Sequence, residues 1–109
     1  MAAPQLQLTP GQAQHLLSLL FQHVPHLQVW AFGSRVKGTA RPSSDLDLVF
    51  FAEEADKPLL GSLREALEES LLPFAVDMLV WNDISAAFQA HIQSQFIELQ
   101  KPVAAKVGA

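Results

Sequence analysis

Asp45 and Asp47 stand two residues apart at the start of a run that turns wholly apolar, Asp45-Leu-Asp-Leu-Val-Phe-Phe51. In an extended strand, residues two apart project from one face, so these carboxylates lie close together. Anions that close repel, and a shared proton or a divalent cation relieves them. A third carboxylate, Asp77, interrupts the apolar run Phe74-Ala-Val-Asp-Met-Leu-Val-Trp81, where a lone Asp is costly without a partner. If the two strands are neighbours, three carboxylates converge on one sheet edge, an all-oxygen site suited to Mg²⁺ or Mn²⁺ rather than to zinc. Upstream, Gly33-Ser34 ends another apolar run and opens a helical turn, where free backbone N–H groups and the Ser hydroxyl can hold a phosphate. Metal carboxylates beside a phosphate cradle are the equipment of phosphoryl or nucleotidyl transfer.

The elements that must position these groups follow from periodicity and punctuation. Thr9 before Pro10 reads as an N-cap with Pro at the first helical position, and Leu16, Leu17, Leu20, Phe21 and Val24 recur at helical spacing, so a first helix spans about Pro10 to His23. Pro25 stops it. Gln28 to Phe32 is a buried strand bounded by Gly33, followed by a turn or short helix to Gly38 and a polar loop from Thr39 to Ser44. Leucines at three- and four-residue steps from Pro58 to Leu72 predict an amphipathic helix with an acidic outer face. Asp83 or Ser85 caps a last helix, in which Ile84, Phe88, Ile92, Phe96 and Leu99 form one stripe until Pro102 ends it. The order calls for an α/β (α+β) fold, a small mixed sheet of three or more strands flanked by helices. Residues 1–8 read as an N-terminal extension, 9–100 as the domain and 101–109 as a flexible tail.

At 109 residues, half of them apolar and 17% charged, the chain has the composition of one packed domain. The absence of Cys excludes disulfides, thiolate catalysis and cysteine-ligated metals. Seven basic against eleven acidic residues give a net charge of −4, which speaks against a general nucleic-acid-coating surface. Arg35, Lys37 and Arg41 nevertheless cluster within seven residues, leaving room for a small anion site. Neither a leader nor a membrane span is expected, and the cytoplasm is the expected compartment. His15, His23 and His26 have no acidic partner at ligand spacing and read, with His91, as surface or helix-end side chains. Trp30, Phe32, Phe50, Phe51, Phe74 and Trp81 read as core, with one of them available to stack on a base.

Gly33-Ser34, ten intervening residues and Asp45-Leu-Asp47 resemble the signature of the DNA polymerase β-type nucleotidyltransferase superfamily, with Arg35, Gly38, Ser44 and Leu48 agreeing with its wider pattern. At about 5–7% usage per residue type, four fixed positions coincide by chance about once in 10⁵ starting points. The chain has no room for the acceptor-gripping domains of the larger members, and over about Leu6 to Leu99 it is similar to the minimal nucleotidyltransferase (MNT) domain. The resemblance implies the nucleotidyltransferase fold and, in prokaryotes, pairing with a HEPN-domain protein as the antitoxin of a toxin–antitoxin system. It further implies transfer of AMP from ATP to a Tyr hydroxyl on the toxin, with two Mg²⁺ ions that Mn²⁺ can replace, and neither direct nucleic-acid nor membrane binding.

Carried over residue by residue, Asp45 and Asp47 bind the two metals, while Asp77 binds the one nearer the acceptor and orients or deprotonates the attacking hydroxyl. Gly33 and Ser34 hold the β- and γ-phosphates, and Arg35 and Lys37 complete the nucleotide-binding set, with Arg41 assisting by charge. Two other readings stand beside this one. The chain is a catalytically silent antitoxin that acts by binding alone, or a small-molecule nucleotidyltransferase completed by a separate helical subunit.

Overall fold

The computed structural model describes residues 6–102. Helix α1 spans Pro10–His23, β1 Gln28–Phe32, the short α2 Ser34–Lys37 and β2 Leu46–Phe51. After a 3-10 turn at Glu54–Asp56 come α3, Lys57–Glu68, and β3, Val76–Val80. A second 3-10 turn at Trp81–Asp83 leads to α4, Ala86–Ser94, and β4, Ile97–Gln100. The strands form one mixed sheet in the order β3-β2-β1-β4, with β1 antiparallel to both β2 and β4, and β2 parallel to β3.

Alternation along the strands divides the sheet into two faces. Val29, Ala31, Leu46, Leu48 and Phe50 face a core shared with Leu16 and Leu20 of α1 and Leu60, Leu63 and Leu67 of α3, all buried. Phe32 and Val49 face the other way and meet Ile92 of α4, with Trp30, Phe51, Leu79, Trp81 and Phe88 packed around them. Rings dominate this second cluster: Trp30 stacks on Phe96 at 3.8 Å and meets Phe51 edge-on at 4.7 Å.

Local chemistry sets the helix starts. The Thr9 hydroxyl accepts from the Gln12 N–H at 3.1 Å while the Gln12 side chain accepts from the Thr9 N–H at 3.0 Å, a reciprocal cap over α1. Ser85 caps α4 by accepting from the Phe88 N–H at 3.1 Å. Asp83 instead pairs with Lys57 at 2.9 Å.

The end of the chain departs from the sequence expectation. The last helix stops at Ser94, and residues 97–100 form an edge strand on β1 rather than continuing the stripe to Leu99. Phe96 goes to the aromatic face while Ile97 and Leu99 pack against the main core, which is period two rather than 3.6. Pairing there satisfies the outer edge of β1. The Gln100 amide fastens the strand by donating to the Val24 and Leu27 carbonyls at 2.8 and 2.9 Å.

The expected N-terminal extension is part of the fold where it is described. Leu6 and Leu8 pack on the core, and the Gln7 side chain bonds both the N–H and the carbonyl of Ala40 at 3.1 Å. The expected tail lies, from residue 103 on, outside the described residues. Among the described residues, no helix is long and apolar enough to cross a membrane. Leu63 lies fully buried between α3 and the sheet. Leu63→Ala should destabilise the protein by about 2–5 kcal/mol, measured as a lower urea midpoint at unchanged m-value.

Candidate active site

The sheet topology brings the chemistry to one end. Because β1 and β2 are antiparallel, the last residue of β1 meets the start of β2, and Phe32 pairs with Asp47. Because β2 and β3 are parallel, the two strand starts lie side by side, and Asp47 pairs with Asp77. Both carboxylates sit at odd positions, the parity of Val49 and Leu79, so they open on the face that carries α4 rather than into the main core.

Gly33 follows Phe32 with φ +84°, a region that side-chain-bearing residues rarely adopt. A Cβ there would lie 3.1 Å from Cγ of Asp47 and would collide with its carboxylate oxygen. The glycine is thus required twice, once for the turn and once so that the carboxylate can lie against the backbone. Beyond it, α2 begins with no side-chain cap, leaving the first N–H groups and the half-buried Ser34 beside the acidic pair.

Asp47 and Asp77 stand side by side as register partners on adjacent parallel strands. The Asp47 carboxyl is pushed up to about 6, first by burial and then by the charges of Asp77 and Asp45. Asp45 precedes β2 by one residue and is exposed, so the structure sets Asp47 and Asp77 in register and leaves Asp45 at the mouth of the strand. Among the described residues, no three His, Asp or Glu side chains form a ready-made metal cage. A cleft of about 450 Å³ opens over the pair, lined also by Phe32, Val76, Met78, Leu79, Phe88 and Arg64.

The basic residues divide. Lys37 is exposed and stands beside Gly33 and His91. Arg35, expected to bind nucleotide, is 5% exposed and turned into the scaffold. Its Nε and Nη2 donate to the Ser44 carbonyl at 3.1 and 2.8 Å, Nη2 also to Pro42 at 3.0 Å and Arg41 at 3.3 Å, and Nη1 to Gln7 at 2.8 Å. The Phe74 ring lies 4.0 Å from its Cζ. With its donors held by loop carbonyls, Arg35 is corrected from a phosphate ligand to a brace for the loop that delivers Asp45. Arg41 contributes its backbone to this brace.

Two features escaped the sequence. Arg64 looks like a solvated charge on the outer face of α3, and only tertiary packing shows it at the cleft. His26 Nε2 lies 2.8 Å from Asp56 Oδ1, a pairing across thirty residues that local spacing does not reveal.

With this geometry described, likeness to known proteins adds the family. Residues 14–101 match the family described as polymerase beta, nucleotidyltransferase. A protein of Haemophilus influenzae (strain ATCC 51907 / DSM 11121 / KW20 / Rd), described as "Probable protein adenylyltransferase MntA", is 41% identical over 98 residues, spanning 89% of this chain and 86% of that one. A solved structure described as that of a "putative minimal nucleotidyltransferase" is 31% identical with a TM-score of 0.62, over 80% of this chain and 88% of that one. A toxin–antitoxin crystal structure with AMP-PNP aligns at TM-score 0.59 and 22% identity over 82% of this chain and 73% of that one, a likeness of fold.

The acidic pair predicts two responses. Between about pH 4 and pH 6 the folded protein holds an Asp47 proton that the unfolded chain has released, so stability without metal should fall as pH rises through that window. Scanning calorimetry should show the melting temperature of the metal-free protein rising from pH 7.5 to pH 5, with Asp47→Asn flattening the slope and raising the value at pH 7.5. Gly33→Ala combines a disfavoured φ with a collision and should destabilise by about 1–3 kcal/mol or more, read by urea unfolding.

Proposed function

The chain belongs to the polymerase beta nucleotidyltransferase family, and from that premise we propose that it transfers AMP from ATP to a tyrosine hydroxyl of a HEPN-type toxin. In this reading it is the toxin's antitoxin and works in the cytoplasm, where ATP is supplied. The observation that carries the reading is the Asp47–Asp77 pair held against Gly33 at the head of three strands. A chain that only bound a partner would gain nothing from two mutually repelling carboxylates set side by side, one of them half-buried. The 41% identity to a protein described as an adenylyltransferase supports the nucleotide and the class of reaction. The likeness of fold to a toxin–antitoxin complex holding AMP-PNP is consistent with both partner and nucleotide.

The donor set fits a hard divalent cation. Asp47 and Asp77 are carboxylate oxygen donors in register on adjacent strands, Asp45 stands nearby, and no imidazole is among the described residues lining their cleft. When bound, Mg²⁺ would neutralise triphosphate charge at Asp45, Asp47 and Asp77.

The chain's own residues supply the rest. Ser34, the first N–H groups of α2 and Lys37 hold the β- and γ-phosphates beside the glycine turn. That leaves the α-phosphate over Asp47 and Asp77. The acceptor oxygen bonds to the α-phosphorus, the bond from that phosphorus to the pyrophosphate oxygen breaks, and pyrophosphate leaves. The hydroxyl proton passes to the Asp77 carboxylate, the more exposed of the pair. Residues 9–100 form the catalytic unit.

Intact-mass spectrometry of the co-expressed toxin, incubated with this protein, ATP and Mg²⁺, tests the proposal. One AMP of added mass per transfer is expected, and Asp45→Asn with Asp47→Asn should slow it by about 10³-fold, the equivalent of several kcal/mol of lost charge stabilisation. An unmodified toxin in a stable complex, neutralised equally by the double variant, would leave the silent binding antitoxin. Label moving from ATP into a low-mass product would point instead to a small-molecule acceptor.

A further inference from the structure

Arg64 projects from α3 toward the β3 edge, where two clefts meet. It lines the 450 Å³ cleft over Asp47 and Asp77, and an adjoining one of about 410 Å³ that runs past Phe74 and Leu72. Asp77, Val76 and Met78 are common to both. Among the described residues, the guanidinium takes part in none of the ion pairs, which join His26 to Asp56 and Lys57 to Glu54 and Asp83. Arg35 is buried in its loop, so Arg64 is the one basic side chain lining the carboxylate cleft among the described residues.

Its side of the site matters. The glycine turn and Lys37 lie at the end of β1, whereas Arg64 lies beside β3, two strands away across Asp47 and Asp77. Neighbouring strands are about 4.8 Å apart, which puts the two cations at opposite ends of a span of about 10 Å or more. If the pyrophosphate end of the nucleotide occupies the β1 side, the acceptor must approach from the β3 side. There it meets Asp77 and, one helical turn from Arg64 on α3, Glu68. A negatively charged acceptor would be repelled from that approach without a cation to receive it.

We propose that Arg64 binds an oxyanion on the acceptor, so that this site prefers hydroxyls flanked by negative charge over neutral ones. The inference rests on the nucleotidyltransferase reading for its assignment of sides. Two sources offer the same chemistry: an acidic side chain next to the acceptor hydroxyl, or the phosphodiester left by a previous AMP transfer. A planar, permanently charged fork suits either.

The test compares three small probes in the presence of AMP-PNP and Mg²⁺, by NMR titration of the isotope-labelled protein. These are N-acetyltyrosine amide, N-acetyl-Glu-Tyr amide and the O-adenylyl ester of N-acetyltyrosine amide. Wild type should bind at least one anionic probe about tenfold more tightly than the neutral one. Arg64→Gln should abolish that preference and Arg64→Lys should keep part of it. The tighter of the two anionic probes identifies the source. Affinity for AMP-PNP and the melting temperature should stay unchanged in Arg64→Gln, which separates acceptor binding from nucleotide binding and from folding. Equal binding of all probes to wild type, no binding of any, or a preference that survives in Arg64→Gln overturns the proposal. Because binding is read without turnover, failure of the catalytic reading shows separately, as an unmodified toxin in the mass measurement.

Discussion

A buried guanidinium without a carboxylate partner holds the working end of this protein together. Taking a charge out of water costs several kcal/mol unless hydrogen bonds replace its hydration. Arg35 recovers that cost from carbonyls alone, those of Gln7, Arg41, Pro42 and Ser44, together with the face of Phe74. These partners come from the segment before α1, the loop before β2 and the approach to β3. One side chain therefore fixes where Asp45 leaves the loop and where β3 enters the sheet. A carboxylate partner could have satisfied the charge at a single point, but it would not have tied three segments together.

The acidic pair is stable only because the rest of the fold is. Asp47 is half-buried next to another carboxylate, and burial and that neighbour raise its proton affinity. The sheet offsets this through position: Leu46 and Leu48, on either side of Asp47, are wholly buried in the main core and leave the strand no freedom to turn its carboxylate outward. A one-residue slip of β2 would turn Asp47 into the core and expose both leucines, so the register is fixed by the same alternation that builds the site. Gly33 then lets the end of β1 approach close enough for the carboxylate to use space that any other residue would fill.

What the sequence made legible was whatever local chemistry decides. The Thr9-Pro10 start, the Gly33 turn and the strand alternation around Asp47 each depend on residues within a few positions, and they stand in the structure where their spacing implies. The last element was not legible in this way. Phe88, Ile92, Phe96 and Leu99 satisfy a helical stripe, and that longer pattern hides that the free edge of β1 takes residues 97–100. The Ile97-Glu-Leu99 alternation was the available sign of a strand, too short to outweigh the longer pattern. Arg35 shows the converse limit. Its place in a nucleotide-binding motif was visible, but whether a guanidinium faces a ligand or a loop depends on carbonyls up to 28 residues away.

The two faces of the sheet explain how the carboxylates can be held firmly and still have one side open. The face under α1 and α3 holds most of the fully buried aliphatic side chains and supplies the rigidity. Among the described residues, the helix over the opposite face is the nine-residue α4, and the aromatic cluster there is mostly half-buried. The carboxylates open on this thinner side, next to β3, the edge strand of the sheet among the described residues. Rigidity is thus concentrated behind the reacting groups and access in front of them. In the proposed reaction, such an arrangement would fix the nucleotide against backbone at the β1 side and leave the acceptor to approach along the open rim by β3.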